Sequence, residues 1–561
     1  MPQDSSAVIF LKPCLCTAVL VALLAGTAVP AFAQTAEAVP APKWRVANTI
    51  EITELAPEAP GAWHPADRGL RQDMWRGTSF SAWQSLLLGM PSDIGSPTLR
   101  DLVAGALFSQ VQLPAPATVV PSADVHALRA EAALGATDSA DWMMFSDAIP
   151  ASEQTEKMLE RRLDWRFVED GPTACADVND ITKSLSWQLY CLLAAGKTTE
   201  ARLKIDMLRE SKGNPQEIAI AEALAGADTP PVPGAHDIRT MRLLSLSPDI
   251  NLEITGGGPL VNRTREFVFY ERGGPRGIAA VEWLTGHGAL NTDRLAAMYA
   301  STAFTNAEKA DATLVAALPD VLQRAYIWQQ LQETEVSQHA ALVNAFVSSG
   351  GAATLIGQRG AVLNPQLDMI EPSTASAWAA PVMFALAAAQ QDNAAQNAWY
   401  ALATTTAQTM PEAGTWVARM LPLALTLGLP GVTPGELPLW SAVAPTAARP
   451  GAPMPVADIL LTLQALDIPV PAEVLQQGGA ARVTDMNIDS QQMEALDAAA
   501  ADGRQGEVIL RAAHLTGDNL AGLPAWAAAK VIRALNQVGL PDAARQLAVE
   551  YLLHLLYPVR G

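Results

Sequence analysis

The stretch TACADVNDITKSLSWQLYCLLAAGKTTEARLKIDMLRE, residues 173–210, decides the fold class. Leu185, Leu189, Leu192 and Leu193 fall at i, i+4, i+7 and i+8, one stripe of a 3.6-residue period. Gly196 follows, and glycine ends a helix readily because it tolerates the left-handed conformation after the last turn. Ala201, Ile205 and Leu208 then restart the stripe at i, i+4 and i+7. Two helices joined by a short turn and packed through their apolar faces are expected.

The two cysteines constrain the same stretch. On one straight helix Cys175 and Cys191 would stand roughly 24 Å apart, whereas a disulfide needs Cα atoms within about 7 Å. They pair only if the chain turns between them. A bend near Lys183 and Ser184 would put each about eight residues from the turn, level on antiparallel neighbours. The alternative is two buried free thiols.

The spacing from Gly196 to Ala201 resembles the inter-helix turn of tetratricopeptide-type repeats, in which a glycine closes the first helix and a small residue early in the second lets the axes approach. Gly503 with Val508 and Gly539 with Ala544 repeat it, and these two glycines lie 36 residues apart, near the length of one such unit. Gln391 takes the glycine's place in a weaker echo over 387–398. The resemblance implies an all-α array of antiparallel helix hairpins, an α-solenoid whose concave face binds another protein.

Lys12 precedes an apolar run over 15–29, followed by Pro30 and the small-x-small pattern Ala31-Phe32-Ala33, the layout of a secretory signal peptide cleaved after Ala33. The run is shorter than the roughly 20 residues that span a bilayer. Neither Cys14 nor Cys16 follows the pattern that precedes a lipidated cysteine. Removing 1–33 leaves Cys175 and Cys191 as the remaining thiols in an oxidising space, which favours a bridge. It also removes one acid, Asp4, and one base, Lys12, so the net charge stays at −20. With no basic run, the chain lacks the cation clusters that bind nucleic acid or an anionic membrane.

At 561 residues the chain exceeds the size of one ordinary core, so several domains or a repeat array are expected. Residues 34–69 read as an extended or disordered lead, with a lone alternating patch at 49–55 and with Trp44 and Trp63 available to dock. A first helical domain spans 70–225, with helices over 79–90, 97–111, 122–134, 152–168 and 215–225. Ser96 caps the second of these and Pro97 opens it. The turn-formers of 226–237 mark a boundary. A middle domain over 237–428 carries a short β-hairpin near 250–270, from residues 251–255 and 266–270 around a glycine run. Its helices follow at 276–284, 292–302, 307–317, 320–333, 339–347, 373–390, 393–408 and 412–427. A Pro/Gly-rich linker over 429–455 leads to C-terminal hairpins over 456–561.

No local motif announces chemistry. The seven histidines are scattered, with no His-x3-His pair and no Cys-x2-Cys, so neither zinc nor any other metal or cofactor is expected. Asp485, Asn487 and Asp489 match the first calcium-loop positions, but Ser490 stands where the turn glycine belongs and Leu496 where the bidentate Glu belongs. They read as a solvated helix start. Gly-x-Ser-x-Gly is absent, and the glycines at 256–258 and 273–274 lack the Lys-Ser/Thr of a phosphate loop. Glu210-Ser211 resembles the acid-serine pair of transglycosylases without that family's downstream segment. The fourteen tryptophans fall mostly within apolar helical patterns, as core rings rather than a glycan platform. No catalytic residue is assigned. The expected role is an exported or periplasmic interaction scaffold binding another envelope protein. The alternative is an envelope enzyme, for example one acting on cell-wall glycan, with dispersed carboxylates.

Overall fold

In the computed structural model the apolar stripes become helices, which account for 72% of the described residues against 1% strand. The structure describes residues 55–116, 120–176, 184–226, 237–246, 259–270, 273–349, 360–445, 454–478 and 488–557. The expected signal segment, Cys14, Cys16, Trp44, residues 227–236, 251–258, Asp485 and Asn487 lie outside them. Among the described residues no helix is long and apolar enough to cross a membrane.

The stretch that opened the sequence reading folds as helices Leu185–Ala194 and Thr198–Glu210, packed on each other across Gly196 at φ 69°. Leu189, Ala201, Ile205 and Leu208 are buried together, with Ala221 and Ala225 of the next helix region, in a small core of their own. Cys175 ends a 3-10 turn, Gly171–Cys175, which follows helix Glu156–Asp170. It meets Cys191 at disulfide distance, with Cα atoms 5.6 Å apart. Phe167 stacks on Trp187 beside the pair at 3.8 Å, and Tyr190 meets both rings edge-on.

Of the lead expected over 34–69 as extended or disordered, Leu55–Glu58 pairs antiparallel with Gln112–Pro114. Of the alternating patch expected over 49–55 only Leu55 belongs to this strand, and residues 49–54 lie outside the described residues. Beyond the strand the chain follows the end of helix Pro97–Phe108. The Ala62 amide donates to the Phe108 carbonyl at 2.7 Å, and a Cβ on Gly61 would sit 2.4 Å from that oxygen. Trp63 docks against Phe108 under the Arg68 guanidinium. Arg129, fully buried on helix Ser122–Ala132, clamps this seam by donating to the carbonyls of Leu107, Ser109 and Pro60 at 2.7, 2.9 and 2.9 Å. The first two are orphan acceptors at a helix C-terminus, and an arginine fork satisfies them with charge-assisted bonds.

The β-hairpin expected near 250–270 is corrected over its second arm, because Pro259–Tyr270 is helical. Its buried residues Thr264, Phe267 and Val268 fall at i, i+3 and i+4, so the aromatic, β-branched composition that suggests a strand serves a helical face. The Pro/Gly-rich region 429–455 contains a short helix, Leu437–Val443, whose Trp440 is buried and donates to the Ala418 carbonyl. The helix expected over 307–317 is two pieces, Asn306–Ala310 and Ala312–Ala316, broken at Asp311, whose carboxylate caps the second. Helices Ser139–Ala148 and Ile238–Ser245 arise where the sequence reading placed none.

One hydrophobic cluster runs from Leu70 to Tyr557. Its far-apart ends meet directly. The Gly506 amide donates to the Met74 carbonyl, Gln505 accepts from the Arg71 amide, and Trp75 lies so close to Gly506 that a Cβ there would sit 2.6 Å from the ring. The closing helix, Pro541–Leu556, packs on helices Pro97–Phe108, Ala380–Ala389, Gly414–Leu427, Val456–Ala465 and Ala525–Gln537. A buried bidentate pair, Glu282 with Arg324, joins helices Pro275–Gly286 and Asp320–Glu333, and the Tyr299 hydroxyl donates to the same carboxylate.

Candidate functional site

Two places combine charge with shape. The first is a groove of about 570 Å³ between helices Ser490–Ala501 and Ala525–Gln537, lined by Asp497, Ala500, Ala501, Lys530, Arg533, Ala534 and Gln537. The pattern of the second helix explains it. Ala527, Val531, Ala534, Leu535 and Val538 form the buried stripe, which leaves Trp526, Lys530, Arg533 and Gln537 at i, i+4, i+7 and i+11 on a different face. Lys530 is tied to Asp497 across the groove at 2.5 Å. Arg533 forms no ion pair among the described residues, and the Trp526 ring stands 47% exposed. Ala500 and Ala501 keep the facing wall low. Both helices are the first of their pairs: Ser490–Ala501 turns through Gly503 (φ 69°) into Gln505–Thr516, and Ala525–Gln537 turns through Gly539 (φ 83°) into Pro541–Leu556.

The second place is a buried polar joint where four segments meet. Ser96 caps helix Pro97–Phe108 by accepting from the Leu99 amide, and its Oγ donates to Glu550 of the closing helix at 2.5 Å. Thr98 gives the same carboxylate its amide at 2.9 Å and its hydroxyl at 2.6 Å. A carboxylate is thereby seated on a helix N-terminus, where free amides and the helix dipole favour negative charge. Burial still pushes Glu550 above the usual carboxylate range. Arg100, one turn into the helix, is buried deeply enough to bring its guanidinium down to about 10. Its side chain packs against Gly288, where a Cβ would come within 3.1 Å of Nη2.

Asp93, on the loop before the cap, is 3% exposed, and its carboxyl oxygens have no side-chain partner among the described residues, with the neighbouring Ile94 amide alone turned toward them. Burial raises it to about 7, against the opposing pull of Arg100. His287 faces it, with Nε2 3.9 Å from Oδ2. The imidazole stacks on Trp283 at 3.7 Å and its Nδ1 lies 2.7 Å from the Trp283 carbonyl. Burial, with the Arg100 charge, lowers His287 to about 4. The loop is held from the other side by the Gly95 amide, which donates to the Gly517 carbonyl at 2.9 Å, and a Cβ on Gly95 would fall 2.3 Å from the Asp518 carbonyl oxygen.

The residues singled out in the sequence do not converge. Cys175 and Cys191 meet each other, away from both places. Asp489 caps helix Ser490–Ala501 by accepting from the Gln491 amide. Glu210 ends its helix, and Gly273 and Gly274 are turns at positive φ. Trp75, Trp83, Trp142 and Trp187 are core rings, while Trp378 and Trp526 are exposed. Among the described residues no cluster of His, Cys, Asp and Glu could hold a metal. Asp93, Arg100, His287 and Glu550 escaped sequence reasoning because they are scattered over more than 450 residues; the Ser-Pro-Thr helix start at 96–98 was the one local sign that an anion belongs nearby. No family model, curated protein or solved structure matches the chain.

Proposed function

We propose that the protein is an exported interaction scaffold of the cell envelope, built in part from tetratricopeptide-like helix hairpins, and that a segment of another envelope protein lies in the groove between helices Ser490–Ala501 and Ala525–Gln537. The observation that carries this reading is the stripe Lys530, Arg533, Gln537 beside the alanine wall, continued one turn before Lys530 by the exposed Trp526. Tryptophan and arginine are the side chains that most often anchor protein interfaces, and an arginine without an internal partner presents its whole fork to an incoming carboxylate. The Gly-x4-small turns behind both helices agree with hairpins stacked side by side, the arrangement whose first helices line a binding face. Export rests on the pattern of residues 1–33.

An enzymatic reading would rest on Asp93 and His287, an acid and a base with displaced proton affinities. Asp93 lies inside the joint, however, and at 3% exposure it offers a substrate no surface. The binding reading is tested by placing a photo-crosslinking residue at Gln537 in the full chain expressed in its own cells. A defined adduct is expected, and Trp526→Ala with Arg533→Glu should abolish it. Adducts that persist unchanged in the double variant would defeat the assignment of this groove.

A further inference from the structure

We infer that Asp93 and His287 form a compensating proton pair: on folding, the proton that a free histidine would hold in mildly acidic solution is held by the Asp93 carboxyl, so the joint keeps one proton in both states. The geometry carries this. The Trp283 carbonyl can only accept, so Nδ1 of His287 carries the ring hydrogen, and Nε2 turns its lone pair toward Asp93 Oδ2 at 3.9 Å. The Asp93 oxygens meet no side-chain donor among the described residues and only the neighbouring Ile94 amide from the backbone, which suits a carboxylic acid better than a buried carboxylate. The charges around the pair come from each element packed on it. Arg100 of helix Pro97–Phe108 and Asp518 of the loop after helix Gln505–Thr516 face Asp93. Arg100 and Arg263 of helix Pro259–Tyr270 face His287. Asp101, Asp138 and Glu550 face Arg100 in turn.

The two groups oppose each other in sign. Asp93, raised from 3.8 to about 7, keeps a proton that the unfolded carboxyl releases, so it lowers stability as pH rises through that window and changes nothing further above it. His287, lowered from 6.5 to about 4, refuses a proton that the unfolded ring takes up, so it lowers stability as pH falls through its window. Where the windows overlap the effects cancel. Between pH 4.5 and 6.5 the pair together should change the unfolding constant by about twofold or less. Such a joint holds its strength while the surrounding pH varies, and it lies next to the loop that leads into helix Ala525–Gln537.

The test is equilibrium denaturation of the full chain at pH 4.5 and 6.5, with each variant compared to the parent at the same pH so that other titrations cancel. Asp93→Asn leaves the histidine alone and should unfold roughly sixty-fold more readily, relative to the parent, at pH 4.5 than at 6.5. His287→Gln leaves the acid alone and should show the opposite, roughly forty-fold more readily at pH 6.5 than at 4.5. Shifts of the same sign, or none, overturn the pairing. If either variant fails to fold, Asp518→Asn keeps the question answerable, because Asp518 is exposed and its charge raises Asp93. It should gain stability relative to the parent at pH 6.5 compared with pH 4.5, and an unchanged ratio overturns the coupling. The proton's position is read from histidine side-chain nitrogen shifts at pH 5.5, assigned with His287→Gln. A neutral His287 ring bearing its hydrogen on Nδ1 is expected, and an imidazolium overturns the assignment to Asp93.

Discussion

Replacing Arg129 by Met should loosen the seam between the first strand and helix Pro97–Phe108 more than any surface change nearby. The guanidinium donates to three carbonyls, those of Leu107, Ser109 and Pro60, and lies over the Phe145 ring at 5.0 Å. Methionine keeps much of the packing and removes every donor. A buried acceptor left without a partner costs about 1–3 kcal/mol. Part of that loss is offset, because a guanidinium is no longer desolvated; burial holds Arg129 at about 9. The net expectation is a loss of about 3–5 kcal/mol, in line with breaking one side of a buried charged network. Arg129→Lys should recover less than half of it, since an ammonium cannot reach three diverging acceptors in one plane. Urea denaturation followed by tryptophan fluorescence gives the energy. Because a chain of 561 residues need not unfold in one step, limited proteolysis gives the local effect. The Pro60 tether should fail first, with faster cleavage between residues 55 and 62. A loss below about 1 kcal/mol with unchanged cleavage there would refute the clamp.

Three further outcomes are expected. Thiol titration of the unfolded, unreduced mature chain should find no free cysteine, and Cys175→Ser should lower stability by about 3 kcal/mol through the loop it opens, without abolishing folding. Gly506→Ala should cost about 1–3 kcal/mol, because its methyl group would press into the buried Trp75 ring; a neutral effect in thermal denaturation would mean that the two segments part more easily than their contact suggests. Mass spectrometry of the exported chain should place its first residue at or near Gln34, and retention of residues 1–33 on exported material would defeat the reading of that segment as a cleaved signal.

What the sequence made legible was local. Ser96 and Pro97 mark a helix start, Gly196, Gly503 and Gly539 mark turns, and the stripes through Leu189, Ala201 and Val531 mark buried faces, because each depends on neighbours within a turn or two. What stayed hidden depends on partners far along the chain. The strand at Leu55 needs Pro114, and its pairing has no signature in either segment. Phe267 and Val268 favour strand in isolation and helix once one face must be buried against its neighbours. Asp93 and His287 look like ordinary loop residues; only burial beside Arg100 gives them altered proton affinities, and burial is a property of the assembled core. The groove was half legible. The stripe of Ala527 to Val538 identified the inner face of its helix, and the outer face follows by subtraction, but the low alanine wall opposite belongs to another helix.

The seat of Glu550 on the start of helix Pro97–Phe108 ties residues more than 450 positions apart, and the contacts of Gly506 with Met74 and of Gly95 with Gly517 tie residues more than 420 apart nearby. A chain closed in this way cannot complete its N-terminal core as that part emerges from the ribosome, because part of the wall of that core is made more than 400 residues later. Folding of such long-range topology is slow, and its incomplete forms expose apolar surface. If the segment over 1–33 directs export as proposed, the delay has a use: the chain stays threadable until helix Pro541–Leu556 arrives, and assembly is deferred to the far side. Deleting the last sixteen or so residues should therefore damage the N-terminal half as much as the C-terminal one, since the closing helix is the lock for both.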